Sequence, residues 1–458
     1  MDHLILGTRL EQGLDCGCSA MGRERTACDG QCAIQRREGS EFAVHVHLTT
    51  LEQGARKVCY AVWMNSSRRM ALQYGLMFAA NGVSLPFAGL WFSAQGLSGA
   101  EIGTLLAVPM LARLVTGPAI AVWADGFAQR RTPIAILALI AAVAYGAAGL
   151  VEGFALWAPL WFIAATAAGA MIPLSDVMTL RLARREGFAF AFPRGCGSAA
   201  FVAANILMGA LLARTSVDAV IIFIVIVSLL IALLAARMLP PEPVGDGVAT
   251  PRRDRFAGMG RLVADPVFLT AIIAIGCVQA THAFYYGFSA IAWKAQGIDE
   301  ATTGLLWAFS VVVEIGFMWV IEPWRRARGI GPWLLLMVGM GAAIVRWSLM
   351  AFAPPLWALW PLQALHALTF AATYLAGVQI VERLSPPEHQ TAAQTLNSVL
   401  AAGVLIGLAT VFSGPLYDAY GSLGYWAMAA LAALGGVAAF RLRGYLAGRS
   451  DVACARQG

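Results

Sequence analysis

The chain alternates long apolar stretches with short polar connections. From about residue 71 onward, twelve stretches of near membrane-spanning length follow one another, at 71–92, 102–122, 132–151, 156–180, 195–212, 219–235, 267–293, 302–321, 333–352, 356–380, 391–412 and 424–440. About 20 helical residues cross the roughly 30 Å of hydrocarbon in a bilayer. Lipid offers the backbone no hydrogen-bond partner, so stretches of this length are expected to be helices, their Gly and Pro residues accommodated by neighbouring helices.

An internal repeat groups these helices. Ala94-Gln95-Gly96 recurs as Ala295-Gln296-Gly297, Phe87 as Phe288, Gly103 as Gly304 and Leu105 as Leu306, all at an offset of 201 residues. At the same offset Asn81 falls on His282 and Arg113 on Glu314. The expected fold is therefore all-α and polytopic, twelve transmembrane helices in two pseudo-symmetric six-helix bundles. Ionisable groups at matching depths in both halves suggest a secondary transporter with its site at the repeat interface.

The Pro- and Gly-rich connection with Arg252, Arg253 and Arg255 reads as a linker between the bundles. The expected organisation is an ill-ordered N-terminal extension (1–69), a first bundle (70–239), a cytoplasmic linker (240–265), a second bundle (266–445) and a tail (446–458).

Charge sets the expected orientation. Arginines cluster in every second connection and at the ends of the helical region, as at Arg68-Arg69, Arg130-Arg131, Arg184-Arg185, Arg325-Arg326, Arg383 and Arg441. The opposite connections hold little besides Arg214 and Lys294. By the positive-inside rule both termini are cytoplasmic, the number of spans is even, and the location is the inner cell membrane. The +6 net charge is then a topology signal, and no nucleic-acid partner is expected. Composition agrees: 59% hydrophobic and 13% charged residues stand far from the roughly 25% charged of soluble domains.

The first 60 or so residues lie outside the pattern. They hold Cys16, Cys18, Cys28, Cys32 and Cys59, five of the eight cysteines, but not in the paired C-x2-C spacing of a zinc site. No metal or cofactor is expected. The segment reads as a tail or an extended reading frame, with Met64 and Met70 as alternative starts, and lacks the apolar core of a signal peptide.

Chemistry is sought among ionisable residues inside the spans, each costing roughly 2.5–3.5 kcal/mol at a helix centre. They are Arg113, Asp176, His282, Glu314, Arg346 and His366. Structural ion pairing and function are both open to them. Gln279, His282, Tyr286, Ser289 and Trp293 form one polar and aromatic stripe at helical spacing, and Gln363, His366, Phe370 and Thr373 form another. Two stripes centred on histidines suggest a shared aqueous cavity. No H-E-x-x-H, G-x-S-x-G or P-loop pattern occurs, so an enzyme is not expected.

The run His282-Ala283-Phe284-Tyr285-Tyr286-Gly287-Phe288-Ser289-Ala290-Ile291-Ala292-Trp293, with Gly297, Leu306-Trp307 and Glu314, closely resembles the 3-phenylpropionate (hydrocinnamate) permeases of the major facilitator superfamily. Pro173-Leu174-Ser175-Asp176, Arg194 with Gly197-Ser198, Val345-Arg346-Trp347 and Leu365-His366 add to the resemblance. It implies a proton-coupled importer of a small aromatic acid, two bundles rocking around a central site. A more distant similarity to lactose-permease-type symporters rests on Glu314, Arg346 and His366 in the eighth, ninth and tenth helices. The superfamily's signature between the second and third helices survives only as Asp125 followed by Arg130-Arg131.

These readings assign proton coupling to Glu314, Arg346 and His366, and solute contacts to Asn81, Arg113, His282, Tyr286, Trp293 and Gln363. Asp176 and Arg194 are expected at an inner gate. The expected partners are a small-molecule substrate, a proton and the lipid bilayer, the protein acting as a monomer. A symporter of a neutral solute, nucleoside or sugar, and a drug exporter are the alternatives.

Overall fold

The computed structural model describes residues 65–244 and 259–455. The segment 1–64, with the five early cysteines, and 245–258 of the linker lie outside the described residues. Among the described residues there is no strand, only an isolated bridge between Gln129 and Pro243.

The spans are α1 Ser66–Ala94, α2 Gly99–Ala124, α3 Arg131–Ala148, α4 Phe154–Glu186, α5 Ala191–Leu212, α6 Ala219–Arg237, α7 Pro266–Ala295, α8 Glu300–Ala327, α9 Pro332–Met350 and α10 Leu356–Leu384. A last helical stretch, Gln390–Gly444, is 55 residues long. Glycine divides it: Gly421, at φ 53°, starts a 3-10 turn over Gly421–Gly424. The stretch thus supplies α11 (390–420) and α12 (Tyr425–Ala455), completing twelve crossings. The first helix begins five residues before the apolar stretch does, because the Asn65 side chain accepts from Arg68 N and caps it.

The repeat recurs in backbone geometry. Gln95 ends α1 at φ −82°, ψ 4°, and Gln296 ends α7 at φ −83°, ψ −1°. The glycines that follow take φ +84° and +83°, a left-handed conformation open to glycine without steric cost. Both turns lead into capped helices, through Ser98 with Glu101 in a capping box and through Asp299 bonding Thr302 N at 2.7 Å.

Helices of the first half meet those of the second at small residues, all at the end opposite the arginines. A Cβ on Gly89 of α1 would fall 2.3 Å from Gly287 O of α7. One on Gly103 of α2 would fall 2.8 Å from Thr410 O of α11, and one on Gly304 of α8, 2.3 Å from Asn205 O of α5. Such close crossings substitute van der Waals packing for the hydrophobic drive that lipid removes. At the same end Asp418 of α11 accepts from Gly99 N at 2.6 Å and Ala100 N at 2.8 Å, capping α2 across the halves. At the arginine-rich end the start of the linker is tied down, Arg130 N donating to Glu242 O at 2.9 Å and Arg185 pairing with Glu242.

Three π segments interrupt the second half: Phe317–Ile321 in α8, Ala367–Ala372 in α10 and Leu400–Leu405 in α11. The α7 helix also breaks at Thr281, whose hydroxyl turns back to Val278 O. Irregular helix of this kind recurs at functional sites.

Candidate functional site

Arg346 of α9 is fully buried, yet no carboxylate touches it. Its guanidinium donates to His366 Nδ1 at 3.1 Å, Thr369 Oγ1 at 3.0 Å and Gln363 Oε1 at 2.9 Å, all on α10. Its faces lie 4.9 Å from the Tyr285 ring and 4.5 Å from the Trp347 ring. The stack extends outward, Tyr285 on Trp307 at 4.4 Å and Trp347 parallel to Tyr425 at 5.6 Å. Ring faces and acceptors together replace the water that a buried cation has lost.

Arginine only donates, so it fixes the tautomers around it. His366 Nδ1 must be the acceptor, which leaves the proton on Nε2, and Nε2 lies 3.7 Å from Glu314 Oε2. That distance is longer than a formed hydrogen bond, and a neutral imidazole makes no ion pair there. His282 Nδ1 donates to Gln279 O at 3.1 Å, so its Nε2 accepts from the Thr369 hydroxyl at 3.1 Å. Thr369 thus receives from Arg346 and gives to His282. Glu314, His366, Arg346, Thr369 and His282 form one chain across α7, α8, α9 and α10. The Nε of Arg346 and Nε2 of Gln363 are buried donors with no acceptor.

A π segment of α10 carries Thr369. It begins immediately after His366, and Thr369 and Phe370, three and four residues on, both lie beside that ring, Phe370 parallel to it at 5.3 Å.

Beside the chain lies a central cavity of about 240 Å³, formed by both halves. Asn81, Ser84, Arg113, Tyr145 and Trp161 line it from the first half, and Tyr286 and Thr410 from the second. Arg113 crosses α4 at Gly169, where a Cβ would fall 2.7 Å from its Nη2. Among the described residues Arg113 has no hydrogen bond or ion pair, so this cation faces the cavity unpaired. Tyr286 connects cavity and chain, its ring 5.7 Å from that of His282. Two larger hollows, about 390 Å³ beside Arg325 and Arg383 and about 430 Å³ beside Asp299 and Pro355, are open recesses at the helix ends, and neither is lined by Arg113, Glu314 or Arg346.

Asn81, Arg113 and Tyr286 are thus together at the cavity. His282, Trp293 and Gln363 do not line it: each is buried among α7–α10, Gln363 accepting from Tyr285 OH at 3.0 Å and Trp293 packing edge-on against Tyr285. Asp176 accepts from Tyr74 OH, while Arg194 rests 4.4 Å from the Phe78 ring and 5.5 Å from that of Tyr74. Tyr74 stands between them, and among the described residues no hydrogen bond or ion pair joins either to the second half. Sequence reasoning missed Tyr145, Trp161, Ser84, Thr369 and Tyr425. A tyrosine in the run Ala141-Ala142-Val143-Ala144-Tyr145 belongs to no polar stripe, and nothing local marks it.

Residues 67–428 match the model of the MFS_1 like family. Over 375 residues the chain is 29% identical to a probable 3-phenylpropionic acid transporter of Escherichia coli (strain K12), covering 81% of this chain and 96% of that protein. It is 26% identical over 365 residues to a maltose permease of Geobacillus stearothermophilus, covering 78% and 89%. Among solved structures the nucleoside transporter NupG has a TM-score of 0.73 at 18% identity, over 83% of this chain and 99% of that one. A bacterial homologue of the human lysosomal transporter Spinster has 0.67 at 15% identity, over 82% and 96%. At such identities these structures speak for a common fold alone, the twelve-helix architecture described above.

Proposed function

The chain belongs to the MFS_1 like family and is a multi-pass membrane transporter of a small-molecule substrate, not an enzyme; on that premise we propose that it takes up a small aromatic carboxylate together with a proton. One observation carries this reading: an arginine without a partner, Arg113, faces a cavity whose other large walls are Tyr145, Trp161 and Tyr286. A guanidinium suits a carboxylate through paired charge-assisted bonds, and ring faces suit an aromatic body. The name of the Escherichia coli relative, a probable 3-phenylpropionic acid transporter, supports the same class. A neutral solute would leave Arg113 uncompensated, and about 240 Å³ is small for a disaccharide.

Glu314 carries the proton in this mechanism, beside His366 and one step from Arg346. Arg346 is held by three bonds and two ring faces and holds His366 in turn, so Glu314 is the member of the chain free to close or part. Protonated, Glu314 no longer attracts His366; ionised, it draws on the positive charge behind that ring. Movement of Tyr286 with His282 relays the change to the cavity. The two halves then rock about the glycine crossings, with Asp176, Tyr74 and Arg194 at an inner gate on the arginine-rich, cytoplasmic side of an inner cell membrane. Each monomer is complete, both cavity walls coming from one chain.

The test is stabilisation of the purified transporter by 3-phenylpropionate, a nucleoside and maltose in parallel, since a ligand of the native state must raise its stability. Stabilisation by the aromatic acid alone supports the reading. Stabilisation by maltose or the nucleoside instead overturns it.

A further inference from the structure

A second, much smaller cavity of about 30 Å³ adjoins the central one inside the first half and shares Asn81, Ser84, Tyr145 and Ala168 with it. Its far wall is α6, at Ile224, Ser228 and Ile231. Four polar groups reach this annex without a partner among the described residues: the Asn81 amide oxygen, the Ser84 and Ser228 hydroxyls and the Tyr145 hydroxyl. Asn81 uses only its nitrogen, bonding Met77 O at 3.1 Å. Ser228 is 2% and Tyr145 4% exposed, so neither can turn to water outside the protein.

Unpaired buried groups occur elsewhere too, as at Thr166 and Tyr425, but here they border a cavity. Several other buried hydroxyls bond the carbonyl four residues back on their own helix, as Thr179, Thr410 and Ser413 do at 2.6–2.8 Å. Ser228 does not. Ser228 and Tyr145 are buried, Ser84 partly so, and Asn81 is open to the central cavity. Buried hydroxyls left unpaired are costly, and two of them beside Ser84 and Asn81 at a space large enough for about one oxygen atom describe a site awaiting a hydroxyl group. Tyr145 lines both cavities, so a solute ring lying along it in the central cavity has an edge directed at the annex.

We propose that the annex receives a ring hydroxyl, and that the preferred cargo is a hydroxylated aromatic carboxylate rather than the unsubstituted acid. The proposal rests on the aromatic-carboxylate reading of the central cavity. Arg113 takes the carboxylate; the hydroxyl donates to Asn81 Oδ1 and accepts from Ser228 or Tyr145, groups that an unsubstituted ring leaves unmet.

The experiment is calorimetric binding of 3-phenylpropionate and its three ring-monohydroxylated isomers to the purified full-length transporter, wild type and Ser228→Val, with Ser228→Ala as the milder variant and melting temperature as the folding control. One isomer is expected to bind about tenfold more tightly than the parent acid, a ratio of the size that one or two hydrogen bonds supply. In both variants that ratio falls toward one. If every isomer binds no better than the parent, or if the variants weaken all four acids equally, the annex holds only a structural water and the proposal is wrong. If none of the four acids binds, the failure lies instead with the aromatic-carboxylate reading, and the proposal falls with it.

Discussion

Glu314 Oε2 lies 3.7 Å from His366 Nε2, and among the described residues no arginine contacts that carboxylate. The nearest fixed positive charge, Arg346, is on the other side of the imidazole. The carboxyl therefore has an imidazole beside it and no permanent counter-ion in contact, which suits a group that must both bind and release a proton.

Replacing Glu314 with Gln keeps the shape of the side chain and removes the titration. Proton-driven accumulation of solute against its gradient should be lost, while exchange of internal for external solute continues. Counterflow and accumulation assays on the same vesicles separate the two; undiminished accumulation removes Glu314 from the mechanism.

Arg113 and Arg346 should respond in opposite ways to substitution by Gln. Arg113 makes no bond within the protein, so its loss should leave the melting temperature nearly unchanged and weaken carboxylate binding about 10- to 100-fold, the value of a charge-assisted pair. Arg346→Gln strands acceptors on Gln363, Thr369 and His366 in a buried setting. A destabilisation on the order of 3–5 kcal/mol is expected, read as a fall in melting temperature.

Asp418 holds the end opposite the arginines shut by capping α2 from α11. A side-chain cap is worth about 1 kcal/mol and reaches about 2 in favourable settings. Asp418→Ala should therefore raise the population open at that end roughly 5- to 30-fold. In a background without other reactive thiols, Leu106→Cys on the cavity wall reports this through its labelling rate by an impermeant reagent added at that side. An unaltered rate means the latch is not what holds the closure.

A monoanion carried with one proton moves no net charge. Imposed voltage should then leave the accumulation ratio unchanged, whereas each net charge transferred would contribute about 2.3 kcal/mol per 100 mV. Accumulation measured at zero and at 100 mV decides the stoichiometry.

Much of this was readable in the chain. Twelve apolar stretches and the 201-residue offset anticipate the helices, and the Ala-Gln-Gly repeat reappears as two turns of nearly equal backbone angles. The stripes on α7 and α10 anticipate that Gln279, His282, Gln363, His366 and Thr373 share one polar layer, with Gln279 Nε2 bonding Thr373 Oγ1 at 2.8 Å. A stripe marks a polar face, however, and does not say whether that face meets a cavity or another helix. His282 and Gln363 meet helices. Thr369, three residues after His366, lies next to it on the helix surface, but a threonine among Ala367, Leu368 and Phe370 does not by itself announce a bond to an arginine on α9. Asp418 looks from sequence like an ordinary charge at a helix end; its meaning depends on α2, more than 300 residues away in the chain.

The most direct measurement is uptake of labelled 3-phenylpropionate into proteoliposomes under an inward proton gradient at zero membrane potential, wild type beside Arg113→Gln. The account predicts accumulation by the wild type that collapses with the gradient and is lost in the variant. Absence of accumulation by a folded wild type, or equal accumulation by both proteins, would contradict it.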